Sequence, residues 1–169
     1  MGLMHSLTQR ESIVMTPATS TSVSAEILFP ENISLWYGSA DLARLALQMA
    51  SICHAEPQQP NAQTSFTEVN LLATMITCYA SGIFGSDEVQ WATDTHPTVR
   101  LLARDGYLRP EAVRRFRRPH HGTVERALGR LLAATIASTC AFESEEDIQS
   151  AALMEARRRV QLAILFDLP

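Results

Sequence analysis

The fold of this chain turns on Arg109-Pro110-Glu111-Ala112-Val113-Arg114-Arg115-Phe116-Arg117-Arg118, the middle of a basic stretch running from Thr98 to Arg130. Pro110 suits the first position of a helix, because its fixed φ is already helical and its missing N–H would be unpaired there anyway. At about 100° per residue, Ala112, Val113 and Phe116 fall on one side of that helix. Arg114, Arg115 and Arg118 fall opposite, with Arg117 at the flank. The expected object is a short helix anchored by Val113 and Phe116 that presents arginines outward.

The flanks extend the pattern. On the N-terminal side, Thr98 to Arg104 reads as a helix with Val99, Leu102 and Ala103 on its apolar face and Arg100 and Arg104 one turn apart. Asp105-Gly106 makes the turn, so the pair of helices has helix-turn-helix order. On the C-terminal side, His120 to Cys140 reads as a longer helix with Val124, Leu128, Leu131, Leu132 and Ile136 at core spacing. Between Arg100 and Arg130 there are nine arginines against three acids, a net of +6 in a chain of net charge −4. The rest of the chain is therefore strongly acidic, and that asymmetry points to a polyanionic partner for the basic stretch.

Further out, Ser39 to His54, Thr67 to Ala80, Ser86 to about Ala92, and Ile148 to Phe166 carry helical apolar spacing. Ser86 is expected to cap its helix, and Leu71, Leu72, Met75, Ile76 and Tyr79 mark Thr67 to Ala80 as the central core helix. Gly82 is its expected stop. Glu143-Ser144-Glu145-Glu146-Asp147 forms an acidic cap for the last helix, whose stripe is Leu153, Ala156, Val160 and Ile164. No segment shows sustained strand alternation. The expected fold is all-α, a compact multi-helix bundle of about seven helices, occupying residues 26–169 as a single domain. Residues 1–25, rich in Ser and Thr, read as a disordered tail.

Several chemistries are disfavoured. No Gly-x-Gly-x-x-Gly, Gly-x-Ser-x-Gly or Cys-x-x-Cys spacing occurs. Cys78, His96, Cys140 and the His120-His121 pair lack zinc-site spacing. The acids at 143–147 read as helix caps rather than metal ligands. No catalytic residue, metal or cofactor is expected. No secretory signal or membrane span is evident, and three widely spaced cysteines fit a reducing, cytoplasmic setting. All 14 basic side chains are Arg; this reads as compositional bias, so their placement carries the information. Arg157-Arg158-Arg159 reads as a solvated face balanced by Glu145, Glu146 and Glu155. Trp36, Tyr37 and Trp91 read as buried anchors.

Three blocks carry a family resemblance: Leu28-Phe29-Pro30-Glu31-Asn32; Leu71-Leu72-Ala73 through Tyr79-Ala80-Ser81-Gly82-Ile83-Phe84-Gly85-Ser86-Asp87-Glu88-Val89; and Arg109-Pro110-Glu111 with Phe116-Arg117-Arg118-Pro119-His120. In order and rough spacing they resemble the N-terminal helical domain of bacterial insertion-sequence transposases over residues 28–132. Residues 143–169, an acidic cap and a helix, lie beyond that match. The resemblance implies a DNA-contacting or assembly domain that normally precedes an RNase H-like catalytic domain with an Asp/Asp/Glu metal site. After Leu132 this sequence offers continued helix instead of a strand bearing an Asp. At Asp87 it carries an acid where the family pattern has a base. The resulting expectation is a non-catalytic DNA-binding protein whose contacts to duplex DNA come from Arg100, Arg104, Arg109, Arg114, Arg115, Arg117, Arg118, His120 and Arg126. It is either a regulator or a truncated remnant. The alternative is an interaction or homodimerisation module acting through the C-terminal helix, with its arginines paired to acidic segments.

Overall fold

A computed structural model describes residues 29–54, 66–103, 108–139 and 144–168. A short 3₁₀ turn, Ile33–Leu35, is followed by six α-helices: α1 (Ser39–His54), α2 (Phe66–Ala80), α3 (Ser86–Thr95), α4 (Pro97–Ala103), α5 (Pro110–Thr139) and α6 (Glu145–Phe166). Among the described residues there is no strand, and the fold is all-α. The tail expected at 1–25, Arg104, the Asp105-Gly106 turn, Cys140 and Glu143 lie outside the described residues.

The core forms around α2, in which every residue from Leu72 to Ala80 is buried. Such a helix is apolar all round because neighbours cover every face. Here α1, α5 and α4 pack on it, joined by α3 and α6. The polar members Thr74 and Thr77 sit inside that run, and Thr77 donates to the Ala73 carbonyl at 2.8 Å. α2 ends where the sequence places its stop. Gly82 takes φ +79°, Ile83 N donates to Cys78 O at 2.9 Å and Gly82 N to Tyr79 O at 3.4 Å. This 6→1 and 5→2 pair satisfies carbonyls the helix leaves open, and the left-handed residue between them favours glycine.

The six helices become about seven if α5 is cut where the sequence suggests. Pro119 lies inside α5, and His120 next to it has non-helical φ −108°, ψ 16°. A proline deprives the helix of one donor and crowds the preceding turn, so the axis kinks there. α5 and α6 form the most extensive helix pair. They run antiparallel, since Arg117 meets Asp167, Glu125 meets Arg157 and Gly129 meets Leu153. At Gly129 an added Cβ would stand 3.3 Å from Leu153 Cα, so the missing side chain sets how closely the two helices approach.

Several expectations need correction. Ser86 does not cap α3; Gly85 does, with the Glu88 carboxylate accepting from Gly85 N at 3.1 Å and Phe84 N at 3.2 Å. Ala112 is exposed rather than inward. Leu153 is half-buried, and the inward row of α6 is Ile148, Ala152, Ala156, Arg159, Val160 and Ala163. Trp91 is 68 % exposed and Trp36 43 %, so neither is a buried anchor. α4 packs on α1, α2 and α3, and α5 is not among the helices it packs on to any extent. The helix-turn-helix order of α4 and α5 therefore does not come with mutual packing of the two helices. No helix among the described residues is long and apolar enough to cross a membrane.

Candidate nucleic-acid interface on helix α5

The first turns of α5 are held by Val113, fully buried, and Phe116, nearly so. The His120 ring lies against Phe116 with centroids 4.7 Å apart, which leaves it half-buried. Arg117 departs from the expected flank position: it is 5 % exposed. Its guanidinium donates to the Tyr79 hydroxyl at 3.0 Å and forms an ion pair with the Asp167 carboxylate. Asp167 also accepts from Ser86 N at 2.9 Å and from the Ser86 hydroxyl. One buried polar cluster thereby joins α2, α3, α5 and the end of α6.

The electrostatics of that cluster follow from its pairing. Burial alone would raise the Asp167 carboxyl, but the donors from Ser86 and Arg117 outweigh it and hold it below the ordinary carboxylate value. Burial would lower Arg117, but Tyr79 and Asp167 outweigh that and raise it. Burial pushes the Tyr79 phenol up to about 12, against the opposing charge of Arg117. The cluster is an ion pair at neutral pH and has no spare charge for a ligand.

The outer arginines divide by partner. Arg114 is half-buried, 3.3 Å from Glu111 and 4.0 Å from Asp167. Arg100 on α4, Arg109 before α5, and Arg115 and Arg118 on α5 are exposed. Arg115 and Arg118 enter no ion pair with a described residue. Beyond the kink, exposed Arg126 donates to the Thr123 hydroxyl at 3.4 Å, and Arg130 is half-buried. Arg115 and Arg118 are three residues apart and share one face of the first segment of α5, while Arg126 lies beyond the kink at His120. Arg104 lies outside the described residues. Of the predicted set, α5 carries Arg114, Arg115, Arg118, His120 and Arg126, with Arg126 beyond the kink, Arg109 precedes it, Arg100 stands on α4, and Arg117 goes into the interior.

Two hollows line the α5–α6 seam. The larger is a cleft of about 430 Å³ bounded by Arg114, Arg117, Arg118 and His121 on one side and by Gln161, Ile164, Asp167 and Leu168 on the other. The smaller, about 280 Å³, lies further along between Arg126, Arg130, Gln149, Ser150 and Leu153 over Gly129. Sequence reasoning missed the α6 side of the cleft, because Asp167, Gln161 and Leu168 meet α5 only through tertiary packing.

The Arg157-Arg158-Arg159 run corrects a second expectation. Arg159 is 1 % exposed. It pairs with Glu155 at 2.7 Å and donates to the carbonyls of Pro30 at 2.6 Å, Ala80 at 2.8 Å and Tyr79 at 3.2 Å. It thus caps the C-terminal end of α2 and ties the chain entering the domain to α6. Arg158 pairs with Glu155 at 2.7 Å and Arg157 lies 3.8 Å from Glu125. Burial would raise Glu155, yet hydrogen bonds from Arg158 and Arg159 hold it low.

Cys53 and Cys78 are buried thiols. Burial raises the Cys78 thiol, which suits an inert core side chain rather than a nucleophile. Among the described residues no three His, Cys, Asp or Glu side chains form a cluster able to hold a metal. Comparison with protein-family models, curated proteins and solved structures finds no match to this chain.

Proposed function

We propose that this chain is a DNA-binding protein without catalytic activity of its own, which contacts the phosphate backbone of a duplex through the outer face of α5. The observation that carries the reading is the pairing pattern. Arg114, Arg117, Arg157, Arg158 and Arg159 each meet a carboxylate, whereas Arg115 and Arg118 are exposed and meet none among the described residues. Guanidinium groups left in solvent on a helix anchored by Val113 and Phe116 are suited to phosphate oxygens, which they contact in a bidentate fork. The resemblance of residues 28–132 to the N-terminal domain of insertion-sequence transposases supports the same class of partner. On that ancestry the chain is a regulator competing for transposon ends.

The test is a mobility-shift titration of a duplex at several salt concentrations. With about three to five phosphates engaged, log K falls against log salt with a slope of about −3 to −4.5. Arg115→Glu with Arg118→Glu abolishes the shift while circular dichroism stays helical. No shift of any duplex at low salt would refute the proposal.

The alternative reading is self-association through α6. It is favoured by Leu165, Phe166 and Leu168, which are 59 %, 58 % and 61 % exposed at the end of that helix. Light scattering separates the two: a dimer that Leu165→Glu dissociates, with no duplex binding, supports the interaction module.

A further inference from the structure

We infer that the cleft between α5 and the end of α6 is a site for a small phosphorylated molecule that lays an apolar or aromatic face on Ile164 and Leu168, with adenosine monophosphate, through its purine face, as the probe. The volume, about 430 Å³, falls within the roughly 300–1,000 Å³ of small-molecule sites. Its two walls differ in kind. The α5 wall carries Arg114, Arg118 and His121, three groups able to donate to an anion. The α6 wall carries Ile164 and Leu168, with the Gln161 amide between them. Leu168 is 61 % exposed, so apolar surface is there to be covered.

The one acid on the wall, Asp167, does not repel such a ligand as a free carboxylate would. Its oxygens already accept from Ser86 N, the Ser86 hydroxyl and Arg117, and its charge is balanced by the buried Arg117. The same pairing fixes the floor. Arg117 and Asp167 hold the end of α6 against α5, so a ligand has to order the exposed side chains of the walls but not the helices that carry them. Arg118 is then the uncommitted cation of the site, since Arg114 is shared with Glu111 at 3.3 Å. Arg118 also belongs to the outer face proposed to meet duplex DNA. The ligand and the duplex therefore compete for it; this competition, unlike the cleft itself, rests on the DNA-binding reading.

Calorimetric titration of the full chain with adenosine monophosphate, inorganic phosphate and adenosine tests the assignment. The monophosphate binds saturably, phosphate binds more weakly, and adenosine shows no saturable binding. Arg118→Ala weakens monophosphate binding about tenfold, as expected when one charge-assisted hydrogen bond is removed. Arg115→Ala, which does not line the cleft, leaves it unchanged while weakening duplex binding. Leu168→Asp, an exposed position, also reduces monophosphate affinity, with circular dichroism confirming the fold. Equal binding of adenosine and its monophosphate, or full monophosphate affinity in Arg118→Ala, overturns the site. So does inorganic phosphate binding as tightly as the nucleotide, because the apolar wall then contributes nothing. Monophosphate binding with no duplex shift leaves the cleft standing and removes the duplex reading; the reverse result removes the cleft alone.

Discussion

Two arginine runs, 114–118 on α5 and 157–159 on α6, look alike in sequence and do different work. Each sends one member inward: Arg117 to Tyr79 and Asp167, Arg159 to Glu155 and the end of α2. They differ in what remains outside. On α6, Arg158 has Glu155 three residues before it and Arg157 faces Glu125 across the helix pair. On α5, Glu111 reaches Arg114, and no described acid reaches Arg115 or Arg118. The comparison teaches that the positions of carboxylates, rather than the number of arginines, decide which run is structural and which is available to an anion.

The largest effect expected from breaking this comparison is on stability. Arg159→Leu removes one of the two arginine partners of Glu155 and takes a charged donor from the Tyr79, Ala80 and Pro30 carbonyls. It should cost about 3–5 kcal/mol by urea unfolding, since several hydrogen bonds from one buried charged donor are lost at about 1–3 kcal/mol each. Arg117→Met should cost about 3 kcal/mol, as expected when a buried ion pair loses one member. Adding Asp167→Leu removes the orphaned charge, so the double variant should be more stable than the single one. A double-mutant cycle then gives a coupling of about 1–3 kcal/mol; additive losses would mean the pair does not act as a unit.

A smaller effect belongs to the end of α2. Gly82→Ala puts a side chain at φ +79° and 3.2 Å from the Glu31 carbonyl, and about 1 kcal/mol of destabilisation is expected in the same assay. The pH dependence sharpens the picture further. Asp167 and Glu155 both have lowered folded values. The stability they contribute is fully present above the unfolded carboxylate value, about 4, and is lost as pH falls through their lower folded values. Asp167→Asn should flatten part of that acid limb, read from unfolding curves between about pH 5 and pH 2.

The sequence made the all-α architecture legible because the apolar periods of α1, α2, the second half of α5 and α6 are strong, and because Gly82 ends α2 and Ser144 caps α6. Pro119 is equally readable as a break, and His120 is where the backbone departs from helix. The outward direction of Arg115 and Arg118 follows from Val113 and Phe116 alone. The fate of Arg117 does not, because its partners Tyr79 and Asp167 lie 38 and 50 residues away and no local pattern links them. Arg159 is different. It sits three residues after Ala156 and four before Ala163, on the buried row, with Glu155 one turn behind. That signal is present in the sequence, and reading three consecutive arginines as a solvated run obscures it. The cleft is illegible for the same reason as Arg117: its walls come from two helices that meet only in the folded state.

On the proposed function, α5 offers phosphate two exposed arginines that meet no described carboxylate, and α6 offers none. The salt dependence of duplex binding tests it most directly, compared between wild type, Arg115→Ala/Arg118→Ala and Arg157→Ala/Arg158→Ala. The α5 double substitution should lower the log–log slope by about 2, at roughly 0.9 for each phosphate no longer engaged, while the α6 double substitution leaves it unchanged. Equal slopes for the two variants, or a greater reduction from the α6 pair, would contradict it.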